Sequence, residues 1–289
     1  MADDGAVGRW AQLPVIGAKH PLVAQYVAIQ NNSKPNPQRL IVLAGLWEIE
    51  SALDAGLELV AAIVSPELFR GNRASDLLSR AQRGGTPVYA VSARLAARLS
   101  DRDASDGLAA IALSRQWSLA DLTSSIARPP EHSLVLVLDG LEVMGNVGTA
   151  VRSAQASGAA AVLLTNRRVR LTHPRLIHAS MAASLTMPMV DCEVEPAAAW
   201  LRAEGFQVVL TNSRAESTYK SLRYADRVAL VLGAERYGIN PEWEPYADAS
   251  VSIPMSGGVD SLNVANAATI VLFEIASRQR PAEFGVARS

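Results

Sequence analysis

The stretch Leu134-Val135-Leu136-Val137-Leu138-Asp139-Gly140 decides the fold class of this 289-residue chain. Five consecutive apolar residues with no polar alternation are typical of a strand that is buried on both faces, as in a parallel sheet covered by helices. Such strands alternate with helices along the chain. The stretch therefore predicts that an α/β domain with a parallel sheet begins near residue 134.

Further strands and helices follow this stretch in the alternating order that an α/β domain requires. We expect strands at residues 161–164, 207–210, 228–232 and 249–253. A helix is predicted at 196–204. The last helix is predicted from about residue 263 to 277, because Val264, Ala268, Val271, Leu272 and Ile275 fall on one of its faces.

The same rhythm occurs upstream on a smaller scale. Strands are predicted at residues 40–44, 60–64 and 88–91, with helical stretches between them. Residues 121–133, which include two adjacent prolines, lose this periodicity and are typical of a linker. A chain of this length also favours two compact units. We therefore predict a small α/β domain at 1–120, a linker at 121–133 and a larger domain at 134–289.

Composition limits the function classes that remain. Hydrophobic residues make up 49% of the chain, enough for two cores, yet the longest apolar runs are about strand length. They fall short of the roughly 20 residues that a membrane-spanning helix needs. The single Cys192 excludes an internal disulfide, and the acidic start lacks the features of a secretory signal. We expect a cytoplasmic protein without a membrane partner.

Positive charge is concentrated in one place. The net charge of −1 offers no general attraction to nucleic acid, so a polyanion would need a local group of cations. Arg167, Arg168, Arg170 and Arg175 fall within nine residues. They either contact RNA or form a solvated surface, since charged clusters are common on surfaces.

Three loops at predicted strand ends carry polar residues that could form a site. The first contains Asn146 and Gly148 and leads into a helix with Arg152. Its glycines permit close approach of a ligand, but their spacing is not G-x-G-x-x-G, and the Gly-Lys-Ser/Thr ending of a phosphate loop is missing. A nicotinamide site and a nucleotide-triphosphate site are both unsupported.

The second and third loops add a carboxylate, a hydroxyl and an amide. Glu235 follows a buried strand directly, which places it at the carboxyl edge where open α/β sheets bind ligands, or else at a helix start. The third loop bends at a glycine pair and reaches Ser261 and Asn263 where the last helix begins. Helix capping alone would account for Ser261.

Taken together, these residues resemble a known family. The set Asn146-x-Gly148-x-x-x-Arg152, Gly233-Ala234-Glu235-x-x-Gly238, and Ile253-Pro254-Met255 with Ser261-Leu262-Asn263 is similar to the three motifs of the SpoU (TrmH) branch of the SPOUT methyltransferases. Each motif is weak alone, but all three occur in order at strand ends. The resemblance covers residues 134 to about 280. More loosely, residues 39–112 resemble an L30e-like domain that recognises the RNA substrate.

The resemblance implies a fold, a cofactor and an activity. It implies a deep trefoil knot in the C-terminal domain, and a homodimer packed partly through the small residues Ala265, Ala267 and Ala268 of the last helix. The cofactor is S-adenosyl-L-methionine, and no metal is expected. The implied reaction is methylation of a ribose 2′-hydroxyl. The upstream recognition domain favours 23S rRNA as the substrate, and tRNA stays the alternative. Some relatives methylate 23S rRNA for self-protection against an antibiotic, and this sequence does not decide whether this protein does.

The resemblance also assigns site residues. The catalytic set is Arg152, Asn146, Glu235, Ser261 and Asn263. The cofactor-binding set is Thr211, Ser213, Gly233, Ala234, Gly238, Ile253, Met255 and Leu262. We expect Arg152 to bind a phosphate and stabilise developing negative charge, because arginine is not deprotonated near neutral pH. Glu235 is expected to hold either Arg152 or the third loop.

Two departures and two rival functions remain. Relatives often carry Ser-x-Gly-Ala where this chain has Ser180-Met181-Ala182-Ala183, so the turn there is expected to differ. In the N-terminal domain Ala44-Gly45 stands where relatives commonly have a Glu-Gly pair, which affects the choice of RNA.

The rival functions are a non-catalytic protein that binds RNA or the ribosome, and a base methyltransferase on the same scaffold.

Overall fold

The computed structural model describes residue 10 and residues 12–100, 105–126 and 131–285. The chain divides into two compact units. The first comprises residues 1–115 together with 171–178, and the second comprises 116–170 together with 179–289. The segment 171–178, which the sequence had placed in the C-terminal domain, therefore belongs to the first unit.

The first unit is built around a mixed sheet. Its described strands are β1 (Leu40–Ala44), β2 (Leu59–Val64), β3 (Val88–Ala90) and β4 (Leu108–Leu113), in the order β1-β4-β2-β3. Strand β4 is antiparallel to both neighbours, whereas β2 and β3 are parallel. The helices are α1 (Pro21–Gln30), α2 (Leu46–Asp54), α3 (Arg73–Arg83) and α4 (Ala93–Leu99).

Strand β4 was missed by the sequence reading and changes the topology. The strands predicted at 40–44, 60–64 and 88–91 lie within one residue of β1, β2 and β3. Strand β4 has the sequence Leu-Ala-Ala-Ile-Ala-Leu, and its three alanines disfavour a strand prediction. Because β4 lies between β1 and β2, these two strands do not pair directly.

The second unit contains a parallel sheet. Its described strands are β5 (Ser133–Asp139), β6 (Ala161–Thr165), β7 (Met189–Asp191), β8 (Gln207–Thr211), β9 (Arg227–Gly233) and β10 (Ala249–Val251), in the order β10-β8-β9-β5-β6-β7. Every pair among them is parallel. Its described helices are α5 (Leu119–Ser125), α6 (Met144–Ala156), α8 (Ala183–Thr186), α9 (Val194–Ala203) and α10 (Val264–Gln279). Between α6 and α8 the chain forms α7 (Pro174–Ala179), which lies in the first unit except for Ala179.

The centre of this sheet is buried on both faces, as the opening stretch predicts. Every residue of β5 is buried. Val135 and Val137 contribute to a cluster with α9 and with Trp243, which follows β9. On the other side α6 and α10 contact each other, and the hydroxyls of Ser153 and Thr269 lie 2.6 Å apart. The α/β class with a parallel sheet is confirmed.

The first part of the predicted linker is a helix of the second unit. At the start of α5, Ser118 and Asp121 form a capping box: each side chain accepts a hydrogen bond from the backbone N–H of the other. Leu122 is fully buried in the core of the second unit. The linker prediction is therefore wrong at residues 121–125, and its residues 127–130 lie outside the described residues.

Three short 3-10 helices complete the described elements, at Pro66–Leu68, Pro241–Tyr246 and Pro281–Phe284. The last lies just beyond α10, which ends at Gln279, two residues before the proline that the sequence predicted would stop it. Across the described residues, none of the helices combines the length and the apolar character that crossing a bilayer demands.

Candidate active site

The carboxyl ends of four neighbouring strands form the base of the site. In the sheet register, Val251 of β10 lies beside Thr211 of β8, and Asp139 of β5 lies beside Gly233 of β9. Strands β8 and β9 are themselves paired. Because these strands are parallel, the loops that follow them leave from the same edge of the sheet, where ligands of α/β proteins bind.

Hydrogen bonds link the three predicted loops at this edge. The amide of Asn146, in the first turn of α6, donates to the carboxylate of Glu235 after β9. The amide of Asn263, just before α10, donates to the carbonyl oxygen of the Asn146 side chain at 3.1 Å. Asn146 is half-buried, and the other two side chains are exposed. Three side chains from distant parts of the sequence thus meet in one place.

Asn263 also starts the last helix. Its side-chain oxygen accepts the N–H of Ala265 at 3.0 Å, which makes Asn263 the N-cap of α10. Ser261 lies two residues earlier and is exposed. The capping explanation for Ser261 is therefore wrong, because Asn263 fills that role and uses its remaining amide group to reach Asn146.

The loop after β9 is a tight turn. The N–H of Gly238 donates to the carbonyl of Ala234 at 2.8 Å, and Gly238 has a φ of 73°. A side chain on Gly233 would overlap the backbone of Gly238 and Ile239, so the turn requires glycine at both ends. Residues 234–238 form no helix, and the alternative that Glu235 merely begins a helix is wrong.

Arg152 lies on α6 with its side chain exposed. Across the described residues it forms no ion pair, and the carboxylate of Glu235 binds Asn146 instead. Of the two roles expected for Glu235, holding Arg152 is therefore not observed. Contact with the third loop is observed, through Asn146.

Gly148 serves packing instead of ligand approach. A Cβ at this position would lie 2.5 Å from the Cβ of Ala179 and 2.9 Å from the backbone nitrogen of Ser180. Beyond this contact, Met181 and Ala182 both have positive φ angles, 50° and 65°. This is the turn where relatives often carry glycine, and here alanine adopts the left-handed conformation that glycine favours.

The predicted cofactor residues lie along the edge formed by β8, β9 and β10. The Thr211 hydroxyl donates to the Val231 carbonyl at 3.0 Å, and Ser213 is exposed two residues further on. Half-buried positions at the end of β9 and after β9 and β10 are Gly233, Ala234, Ile253, Met255 and Leu262. Apolar side chains with nearby backbone amides and carbonyls suit an adenosine group, so these residues fit S-adenosylmethionine.

Asp139 was not predicted as a site residue. Its buried carboxylate accepts from the Thr165 hydroxyl and the Asn166 amide, both at 2.8 Å, and from the Asn240 N–H at 2.7 Å. It therefore joins the ends of β5 and β6 to the segment that follows the Glu235 loop. A carboxylate directly after an apolar strand was the signal that identified Glu235, and it applies equally to Asp139.

The four clustered arginines fall in both units. Arg167 donates to the Asp191 carboxylate at 2.6 Å and to the Val169 carbonyl. Arg168 and Arg170 are exposed in the second unit, whereas Arg175 is exposed on α7 in the first unit. The cluster is thus divided between the two units, and one of its members is occupied by an ion pair.

Comparisons with known proteins agree with this geometry. A family model described as the SpoU rRNA Methylase family matches residues 133–273. A protein of Ralstonia nicotianae named 23S rRNA (guanosine-2′-O-)-methyltransferase RlmB is 32% identical over 214 residues, which are 73% of this chain and 84% of that protein.

Solved structures agree as well. One described as an RNA 2′-O ribose methyltransferase is 30% identical, with a TM-score of 0.76 over 93% of this chain and 100% of that chain. An rRNA methyltransferase from Sinorhizobium meliloti with bound AdoMet is 26% identical, with a TM-score of 0.81 over 92% and 97% of the two chains. The chain therefore belongs to the SpoU family of RNA 2′-O-ribose methyltransferases.

Proposed function

We propose that this protein transfers the methyl group of S-adenosylmethionine to a ribose 2′-hydroxyl of 23S rRNA. The observation that carries the proposal is the chain of hydrogen bonds from Glu235 through Asn146 to Asn263 at the carboxyl edge of the parallel sheet. The relative from Ralstonia nicotianae, whose name specifies 23S rRNA, supports this choice of substrate.

The residues after β8, β9 and β10 would hold the cofactor. Ile253, Met255 and Leu262 offer apolar surface, while the backbone near Thr211 and Gly233 offers hydrogen-bonding groups. When bound, S-adenosylmethionine supplies a methyl group on a positively charged sulfur. The protein must align the ribose oxygen with that carbon, and alignment alone can supply a large share of the rate.

Arg152 is placed to act on the RNA side. An exposed guanidinium without an ion pair among the described residues can bind a phosphate through two parallel hydrogen bonds. It would also stabilise negative charge as the 2′-hydroxyl loses its proton to water or to the phosphate. Asn146, Asn263 and Glu235 would position the loops around the ribose, and Ser261 would position backbone near the cofactor.

Two finer features of the fold belong to this proposal. We infer a trefoil knot in the second unit. Strand β10 lies at the edge of the sheet, yet the chain that follows it returns to α6, where Asn263 contacts Asn146, and this path supports the knot. We also infer that the first unit, with its small mixed sheet, is an L30e-like domain for RNA recognition. The reaction would take place in the cytoplasm.

A homodimer is also proposed through α10, but of the three alanines expected to pack there only Ala267 is not fully buried. Ala265 and Ala268 are buried within the unit itself, so they cannot form the dimer surface. The more exposed positions Ile270 and Phe273 would do so. Light scattering tests this: Phe273→Glu should convert a dimer into monomers, and a wild-type monomer at micromolar concentration would reject the dimer.

Mapping ribose methylation in cells tests the function. Total RNA from cells with and without the gene should differ at one ribose of 23S rRNA, and restoring the gene with Arg152→Ala should not restore the mark. An unchanged 23S rRNA pattern would contradict the proposal. A difference confined to tRNA would show that tRNA is the substrate. A difference at a base would show that the protein is a base methyltransferase.

A further inference from the structure

We propose that a cleft in the first unit binds the phosphate backbone of RNA through Lys34, Arg98 and Arg175. The inference rests on the proposed function in one respect, that RNA is the substrate. It goes beyond that function by proposing a second RNA-binding surface, formed by residues of the first unit, and by naming the cations that would bind the phosphates.

The cleft is large and is formed by segments distant in sequence. Its volume is about 950 Å³. It is lined by α1 and the loop after it, by parts of β1, α2 and α4, and by residues of the segment 171–178. All of these belong to the first unit. The volume lies at the upper end of ordinary ligand pockets, enough for several nucleotide groups.

Three cations from three different segments line this cleft. Lys34 follows α1, Arg98 lies on α4, and Arg175 lies on α7. Each side chain is exposed, and within the described parts of the chain none of the three forms an ion pair. Elsewhere in this unit arginines do find acidic partners, since Arg73 pairs with Glu50 and Arg80 with Asp54.

The acidic side chain that lines the cleft already has partners within the protein. Glu48 is the acidic residue among the described residues that line the cleft, and it is buried. It accepts the N–H of Ala44 at 2.8 Å and lies 3.7 Å from Nδ1 of His178. The cleft therefore presents unneutralised positive charge, and a polyanion is the ligand that this charge favours.

The lining favours recognition of the backbone over the bases. Bases bound by protein stack on exposed aromatic rings, but Tyr26, the aromatic residue among the described lining residues, is fully buried and directs its hydroxyl at the carbonyls of Leu43 and Leu99. Phosphate contacts position RNA without reading its sequence. Arg175 thereby gains a role separate from that of the other clustered arginines.

The test measures RNA affinity against salt concentration. Filter binding would use an unmodified 23S rRNA transcript with the wild type, with Arg98→Gln/Arg175→Gln, and with the matched control Arg70→Gln/Arg83→Gln. The control removes two exposed arginines of the same unit that do not line the cleft. Since each phosphate contact releases counterions, loss of two should lower the salt slope by about 1.5 and the affinity about tenfold at 0.1 M salt.

Two further measurements separate this inference from the proposed function. Arg98→Lys/Arg175→Lys should restore the salt slope of RNA binding, because lysine keeps the positive charge that a contact to a phosphate needs. S-adenosylmethionine affinity of the Gln variant should equal that of the wild type. An unchanged slope, or an equal loss in the control, would overturn the cleft proposal. A wild type that binds RNA but transfers no methyl would overturn the function while leaving the cleft intact.

Discussion

The amide of Asn146 makes two contacts of opposite type, and this explains why an amide is needed there. Its NH2 group donates to the Glu235 carboxylate, and its oxygen accepts from Asn263. A carboxylate at this position would repel Glu235, and an apolar side chain would leave both partners unsatisfied. One residue thereby joins α6 to the two other loops of the site.

Asn263 performs two tasks that a substitution can separate. Asn263→Asp keeps the oxygen that caps α10 but loses the N–H that reaches Asn146. We expect stability within about 0.5 kcal/mol of the wild type, because aspartate caps as well as asparagine. Methyl transfer should fall about tenfold, the equivalent of about 1.4 kcal/mol.

Asn263→Ala is the matched comparison. It should lose the same activity and also about 1 kcal/mol of stability, since it removes the cap. Urea unfolding and single-turnover methyl transfer measure the two effects. If Asn263→Asp were as unstable as Asn263→Ala, or fully active, the assignment of two separate tasks would be wrong.

Arg152 should tolerate neither alanine nor lysine. If its planar fork binds a phosphate, Arg152→Ala should reduce methyl transfer by about 10² to 10³-fold, and lysine should restore little of it. Calorimetry should show S-adenosylmethionine affinity near that of the wild type for both variants. Full turnover by Arg152→Lys would show that a point charge suffices.

At the scale of elements, the two glycines of α6 should respond oppositely to alanine. A Cβ on Gly148 would meet Ala179 and Ser180 at 2.5 and 2.9 Å, whereas nothing lies within 4 Å of one on Gly145. Gly148→Ala should cost about 1 to 3 kcal/mol through overpacking, despite the better helix propensity of alanine.

Gly145→Ala serves as the control for propensity. It should leave stability unchanged or raise it by up to about 1 kcal/mol. Thermal unfolding of both variants measures the difference. Equal melting temperatures for the two variants would mean that the approach of residues 179–180 to α6 does not constrain this helix.

Elements were predictable from sequence where apolar periodicity was strong. Strands β5, β6, β8 and β9 are long and almost wholly apolar, so each was located to within two residues. Strand β7 is Met-Val-Asp and follows a proline, and β4 is rich in alanine; proline, aspartate and alanine all disfavour a strand prediction. The capping box of α5 was overlooked because serines and prolines nearby indicated a linker.

The site was predictable in its residues more than in its contacts. Strand ends and motif order identified Asn146, Glu235 and Asn263, because parallel strands bring their following loops to one edge. The contacts between those loops depend on chain paths far apart in sequence, and periodicity contains no information on them. For the same reason, the sequence grouped Arg175 with Arg167, although the fold assigns them to different units.

At the scale of the whole molecule, Cys192 makes the free energy of unfolding depend on pH in the alkaline range. Burial, with the charges of Asp191 and Glu193 adding to it, raises the pKa of this thiol to about 11 from an ordinary value of 9.0. Between these values the unfolded chain loses its thiol proton before the folded one does. This contribution to stability is therefore complete below pH 9 and is lost as the pH rises through 11.

A difference measurement isolates this effect from lysines and tyrosines that titrate in the same range. Urea unfolding at pH 8 and pH 10.5 should show that the wild type loses more stability than Cys192→Ala between the two values. Parallel pH profiles for the two proteins would show that the thiol has the same pKa in both states.

The most direct test of the account follows the methyl group itself. The purified protein would be incubated with methyl-tritiated S-adenosylmethionine and an unmodified 23S rRNA transcript, and the RNA digested to nucleosides and separated. We predict label in a single 2′-O-methylated nucleoside, with none on any base. Label on a base, or none despite measured binding of both cofactor and RNA, would contradict the claim that Asn146, Glu235, Asn263 and Arg152 form a site for ribose methylation.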